Sequence, residues 1–255
     1  AKYPIAYLQY IALLLISGDP SAVQDGTERL EELKVFYEKT ENIEESRRRR
    51  ILGEISTIRV FSVFNDAEKM AACTFEALRL FDGDTSWLMH RDGEFTLGSP
   101  HFLYTYYRAP GKLRETVDRM VTDFPAYSRL ANGCGAGCEY VALAEYALET
   151  GDWEAAELNA RKALYRVRKA EQSGLAICAV LSLIRLHIYR GEIRESLYEL
   201  GQLREVVLRE NNAIYNTTLD LVEGYVQACL GRLSGVPEWL RTGDMSHAHF
   251  MFQGI

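Results

Sequence analysis

Apolar residues recur along this 255-residue chain at helical spacing, and the runs stop at glycine. Tyr140, Leu143, Ala144 and Ala147 share one helical face, Gly151-Asp152 follows, and Ala156, Ala160, Ala163 and Val167 then recur at spacings of 4, 3 and 4. The same template laid on Gly191 places Val180, Leu183 and Ile184 before the turn and Ser196, Leu200 and Leu203 after it. On Gly231 it finds Leu221, Val222, Tyr225 and Cys229 before the turn, and after it the pattern fails. The three turn signals stand forty residues apart, a period of helical repeats rather than of a single globular core.

Small residues at Ala144, Ala156 and Ala163 let two helix backbones approach closely, and glycine supplies the φ > 0 conformation that ends a first helix. Trp153 is expected to pack as a large anchor. This is the tetratricopeptide pattern. Extended backwards through Pro110-Gly111, Asn65-Asp66 and Gly18-Asp19-Pro20, it predicts an all-α, tetratricopeptide-like right-handed α-solenoid of about six helix pairs. The pairs run 3–17/21–39, 43–64/66–82, 100–108/111–123, 136–150/152–170, 174–190/192–210 and 213–230/236–242, the last second helix stunted. Pro20-Ser21 and Asn65-Asp66, with Glu68 behind, supply helix-start chemistry. Stacked repeats share one continuous core, so residues 1–255 are expected to form one domain with an irregular insertion at 83–98.

Composition narrows the function classes. The net charge of −7 argues against wrapping nucleic acid through its phosphates. Tyr3 to Ile16 is apolar but shorter than the ~20 residues that span a bilayer, and reads as a buried helix. No secretory signal is visible, and an opening at Ala1 is read as an excised piece of a longer protein. Five cysteines at irregular positions fit reduced thiols in a cytoplasmic protein.

Candidate chemistry is sparse. Cys134 and Cys138 lack the second ligand pair that a zinc site needs and read as ordinary thiols. Gly133, Gly135 and Gly137 open a helix as an anion loop does, yet meet neither dinucleotide nor Walker spacing. Arg47 to Arg50 point about 100° apart in turn and have Glu41, Glu44, Glu45 and Glu54 within reach, which reads as a solvated helix face. His247 and His249 lack a third ligand, and His187 reads as a hydrogen-bonded residue of an apolar face. No nucleophile elbow, His-Glu-x-x-His helix or glutamate pair stands out, so no catalytic or metal site is assigned and an enzyme is not expected.

Aromatic residues crowd the middle of the chain: Trp87, Phe102, Tyr104, Tyr106, Tyr107, Tyr127 and Tyr140. They either fill a broad inter-helix core or offer faces to a ligand. In the second case the candidate contacts are Tyr104, Arg108, Glu139 and Tyr140, with backbone groups of Gly133, Gly135 and Gly137.

The segments Phe95 to Pro100, Tyr104 to Lys112, Asn132 to Tyr140 and Gly151 to Glu154 resemble the central helical region of large LuxR-family transcriptional regulators of the maltose-regulator type. Glu238-Trp-Leu240 and Gly243-Asp244 extend the likeness, which covers about Phe95 to Asp244. Cys134 and Cys138 depart from that pattern. The resemblance implies a bacterial cytoplasmic regulator in which this solenoid is the sensor, between an N-terminal nucleotide-binding domain and a C-terminal helix-turn-helix. ATP would then be bound by the N-terminal domain alone, with no cofactor here, and this region would contact neither DNA nor membrane. Two functions remain open: capture of a small inducer that is coupled to the flanking domains, or a scaffold for a protein partner or self-assembly.

Overall fold

A computed structural model of the chain describes residues 3–107, 109–210 and 212–247. The fold is all-α: among the described residues there are twelve α-helices, two short 3-10 turns and no strand. The chain divides into two compact units, one built on Ala1–Gly93 and Thr122–Gly135, the other on Glu94–Val121 and Ala136–Phe250.

In the first unit α1 (Pro4–Ile16), α2 (Pro20–Lys39), α3 (Glu45–Ser62) and α4 (Ala67–Phe81) follow at short intervals. α1, α2 and α3 pack mutually, and α4 packs on α3. Leu8, Ile11 and Leu15 meet Leu30, Leu33 and Tyr37 and then Ile51, Ile55 and Ile58 in one buried cluster. Two of these helix starts are capped by aspartate: Asp66 serves α4 as the sequence indicates, whereas the cap of α2 is Asp19 and not Ser21, which lies inside the helix. Asp19 takes the N–H groups of Ser21 and Ala22, and Asp66 that of Lys69. Gly53 allows α4 to close on α3, because a Cβ there would stand 2.4 Å from the Phe81 ring.

The second unit contains a short helix α5 (Phe102–Tyr106) and then the repeats α7 (Cys138–Thr150), α8 (Trp153–Ala170), α9 (Ser173–Tyr189), α10 (Ile193–Glu210) and α11 (Ala213–Cys229). Each helix packs on the next, and the first helices α7, α9 and α11 also pack on one another in order. The turns expected at Gly151, Gly191 and Gly231 are there, with φ of 78°, 75° and 69°. All three make the same two bonds. The glycine N–H meets the carbonyl three residues back (Leu148, Ile188, Ala228), and the next N–H meets the carbonyl five residues back (Ala147, His187, Gln227). Ala156, Ala160, Ala163 and Val167 are buried, as are Ala144 and Ala147 against them. After Gly231 the second helix shrinks to α12 (Glu238–Thr242).

Three local expectations are corrected. α6 (Leu113–Leu130) does not stop at residue 123 but carries Pro125 inside it. Proline removes one helical hydrogen bond, and burial of Phe124, Ala126 and Leu130 along the same turns offsets that loss. α5 is five residues long instead of nine. Trp153 is not a buried anchor: it opens α8 on the outer side and is 41% exposed. From Asp82 to His101 the chain has no helix.

Because Ala156 is buried between two helix backbones, replacing it with Leu should lower the unfolding free energy by about 1–3 kcal/mol through overpacking. Urea denaturation of the A156L variant measures this, and an unchanged midpoint would contradict the close packing of α7 on α8.

Candidate functional site

Residues 94–106 lie along the first-helix face of the second unit, and polar groups of three helices address their backbone. Glu145 of α7 is buried, and its two oxygens accept the N–H groups of Phe102 at 2.8 Å and Leu103 at 2.6 Å. His101, at the N-cap of α5, makes no side-chain cap. A carboxylate from another helix therefore satisfies the first-turn donors and meets the positive end of the helix. Cys178 of α9 donates to the Ser99 carbonyl at 3.4 Å, and Thr218 of α11 to that of Gly98 at 2.9 Å. Gly174, near the start of α9, leaves the space in which Glu94 and Thr96 sit, since a Cβ there would come within 2.4 Å of an oxygen of each. The inner face of this unit is thus occupied by its own chain.

Beyond Glu145 the face ends in a cluster of His101, Tyr104, Glu149, Arg185 and Tyr189. The Arg185 side chain is 8% exposed. Its Nη2 donates to Glu149 at 2.6 Å and to the Tyr189 hydroxyl at 3.1 Å, while Nε and Nη1 are buried without a hydrogen-bond partner. Burial opposes its charge, but the bonds to Glu149 and Tyr189 prevail and hold its pKa above the ordinary value. Tyr104 and Tyr189, each about two-fifths exposed, bring the cluster to the surface. The His101 ring stands edge-on to that of Tyr104, with centroids 5.6 Å apart.

The electrostatics favour neutral forms around this arginine. Burial, aided by Arg185 and opposed by Glu149, pushes His101 down to about 4. Burial and the bond to Glu149 push the Tyr104 hydroxyl up to about 12. Burial pushes Glu145 up to about 7 against the pull of the two backbone donors and Arg185, and it raises the Cys178 thiol well above its usual value. The cluster thus holds two buried hydrogen-bond donors without a partner, flanked by aromatic rings.

The residues singled out in the sequence fall in several settings. Tyr104 belongs to the cluster. Arg108 lies outside the described residues. Glu139 and Tyr140 are half-buried on the first turn of α7, where Tyr140 has the Lys162 ammonium of α8 5.9 Å from its ring centre. Gly137 caps α7 at φ 98°, and a Cβ there would meet Val167 at 2.9 Å, so its role includes close packing. Gly133 and Gly135, at φ 102° and 80°, belong to the first unit. There Asn132 donates to the carbonyls of Ser86 and Met89, and Cys134 to that of Gly93 at 3.2 Å. The five cysteines are free thiols, and no metal-holding group of three ligands occurs among the described residues. His187 bonds Glu192 through Nδ1 at 2.7 Å, and His249 lies outside the described residues.

Sequence reasoning passed over Glu145, Glu149, Arg185 and Tyr189. One signal was present: Arg185 is the one arginine in the apolar run from Leu175 to Tyr189. Compared with family models, curated proteins and solved structures, the chain finds no match in any of the three.

Two of the shifted groups, Glu145 and His101, make opposite contributions to the pH dependence of stability. Glu145 holds its proton up to about 7 when folded, against 4.5 ordinarily, so its ionisation costs stability as pH rises through that window. His101 releases its proton at about 4 against 6.5, so its contribution rises with pH between those values. Glu145→Gln should remove the first slope alone. In chemical denaturation across pH 4.5 to 7, wild type minus variant should fall with pH, and a constant difference would count against the buried carboxyl.

Proposed function

We propose that this helical-repeat region is the signal-sensing part of a bacterial transcriptional regulator of the LuxR type, and that it takes a small-molecule inducer at the cluster around Arg185. The observation that carries the reading is the pair of buried, unpartnered donors on Arg185 beside two half-exposed tyrosines. A buried donor left unpaired costs about 1–3 kcal/mol, a cost that a ligand oxygen relieves. The resemblance of Phe95 to Asp244 to the central region of such regulators points the same way. Nucleotide and operator DNA then belong to flanking domains, this region contacts neither nucleic acid nor membrane, and the work is done in the cytoplasm.

A scaffold for a protein partner is the second reading. The first-helix face that would hold a peptide is filled by residues 94–106, which counts against that route. The outer helices favour it: Leu158 and Tyr165 on α8 and Tyr198 and Leu208 on α10 are each more than half exposed.

A thermal-shift screen of sugars, nucleotides and aromatic metabolites separates the two. An inducer at 100 times its dissociation constant should stabilise the protein by about 2.7 kcal/mol. Arg185→Met should abolish that response, and a response that survives the substitution would place the ligand elsewhere. In the full-length regulator, inducer affinity should change when nucleotide binds, since coupling between sites is reciprocal. Identical affinities with and without nucleotide would leave the scaffold reading.

A further inference from the structure

The arginine run at the start of α3 is not uniformly solvated. Arg48 pairs with Glu45, Arg49 lies 3.7 Å from Asp82, and Arg50 is 12% exposed, bonded to the Thr85 carbonyl at 2.7 Å and to Asp84 at 2.5 Å. The Arg50 guanidinium is 4.4 Å from the centre of the Trp87 ring and 4.7 Å from that of Phe81. Glu54 completes the arrangement from within. Fully buried, it accepts the Ser86 hydroxyl at 2.6 Å and the Trp87 N–H at 2.7 Å. Trp87 is therefore fixed through its backbone and one face while 59% of it is exposed.

This ring borders a cavity of about 800 Å³ in the first unit, with Pro4 and Ile5 of α1 and Ile51 of α3 as its apolar wall. A volume of that size is ample for a small ligand. Arg47 also lines it, is exposed, and makes no ion pair among the described residues, unlike its three neighbours. Arg50 and Asp84, the other charged side chains at the rim, are engaged with each other, and Arg50 also lies 3.8 Å from the buried Glu54. Arg47 is thus the one charged side chain lining the cavity without an ion-pair partner among the described residues, beside an indole that is held in place.

We propose that this cavity is a second binding site, independent of the Arg185 cluster, for a planar aromatic molecule bearing a single carboxylate. The ring lies between Trp87 and the wall formed by Pro4, Ile5 and Ile51. The carboxylate accepts from Arg47, whose guanidinium suits a planar oxygen pair. One guanidinium free of any ion pair suits a monoanion: a neutral ring forgoes the charge-assisted bonds, and a second negative charge has no partner.

Indole-3-acetate and its neutral amide, indole-3-acetamide, are suitable probes. Calorimetric titration and saturation-transfer NMR should show saturable binding of the acid at millimolar concentration. The acid should bind about tenfold more tightly than the amide, equivalent to ~1.4 kcal/mol. Arg47→Gln should erase the preference for the acid while leaving the melting temperature unchanged, because the side chain is exposed and unpaired. Trp87→Leu should weaken both probes. Equal binding of acid and amide by wild type, affinities unaltered in both variants, or no saturable signal from either probe would each overturn the proposal. The Arg185→Met variant should bind the acid as wild type does, so failure here and failure of the sensor reading are distinguishable.

Discussion

The carboxylate of Glu145 holds the second unit in the form it has. A helix of five residues has no stability of its own: nucleation costs more than one turn returns. α5 persists because Glu145 takes its first two free N–H groups and α7 provides the surface beneath it. With α5 fixed, the preceding segment is laid across α9 and α11, where Cys178 and Thr218 donate to its carbonyls. The side chains that follow, His101 and Tyr104, are thereby delivered to Arg185 and Glu149. Burial disfavours the charged form of this carboxyl, and the two backbone donors offset only part of that cost.

The parts of the fold that were legible in the sequence are those fixed locally. A left-handed residue after an apolar run, with the next residue turning back, is written in three or four positions, and Gly151, Gly191 and Gly231 repeat it faithfully. The alanines at the inner positions of α8 are buried, while α10 carries Ser196, Leu200 and Leu203 at the matching positions, so the spacing recurs and the residue size does not. The helix expected to end at residue 123 runs on through Pro125, whose local cost is visible in the sequence, whereas the burial of Phe124 and Leu130 that offsets it is not. Trp153 is the opposite case: bulk suggests burial, but the first turn of α8 faces outward.

The candidate site was legible only in part, and the cause is sequence distance. Glu145 meets residues 43 and 42 positions earlier, and Arg185 meets Glu149 36 positions earlier. No window of the chain contains both partners. Tyr104 was recognisable as one of several aromatics, yet nothing near it announced Glu149. The same holds in the first unit. Arg50 looks like its neighbours in sequence, and only the loop carrying Asp84, Thr85 and Trp87 distinguishes it.

Gly174 brings these two levels into conflict. Near the start of a helix it is a poor residue by intrinsic preference, conceding up to about 1 kcal/mol to alanine in a helix interior. The oxygens of Glu94 and Thr96 nevertheless occupy the volume that an alanine methyl would need. A substitution that strengthens α9 as an isolated helix would therefore force the side chains of Glu94 and Thr96 to move. For drift and for engineering alike, helix propensity is the wrong guide at this position, because the space belongs to a segment eighty residues away in the chain.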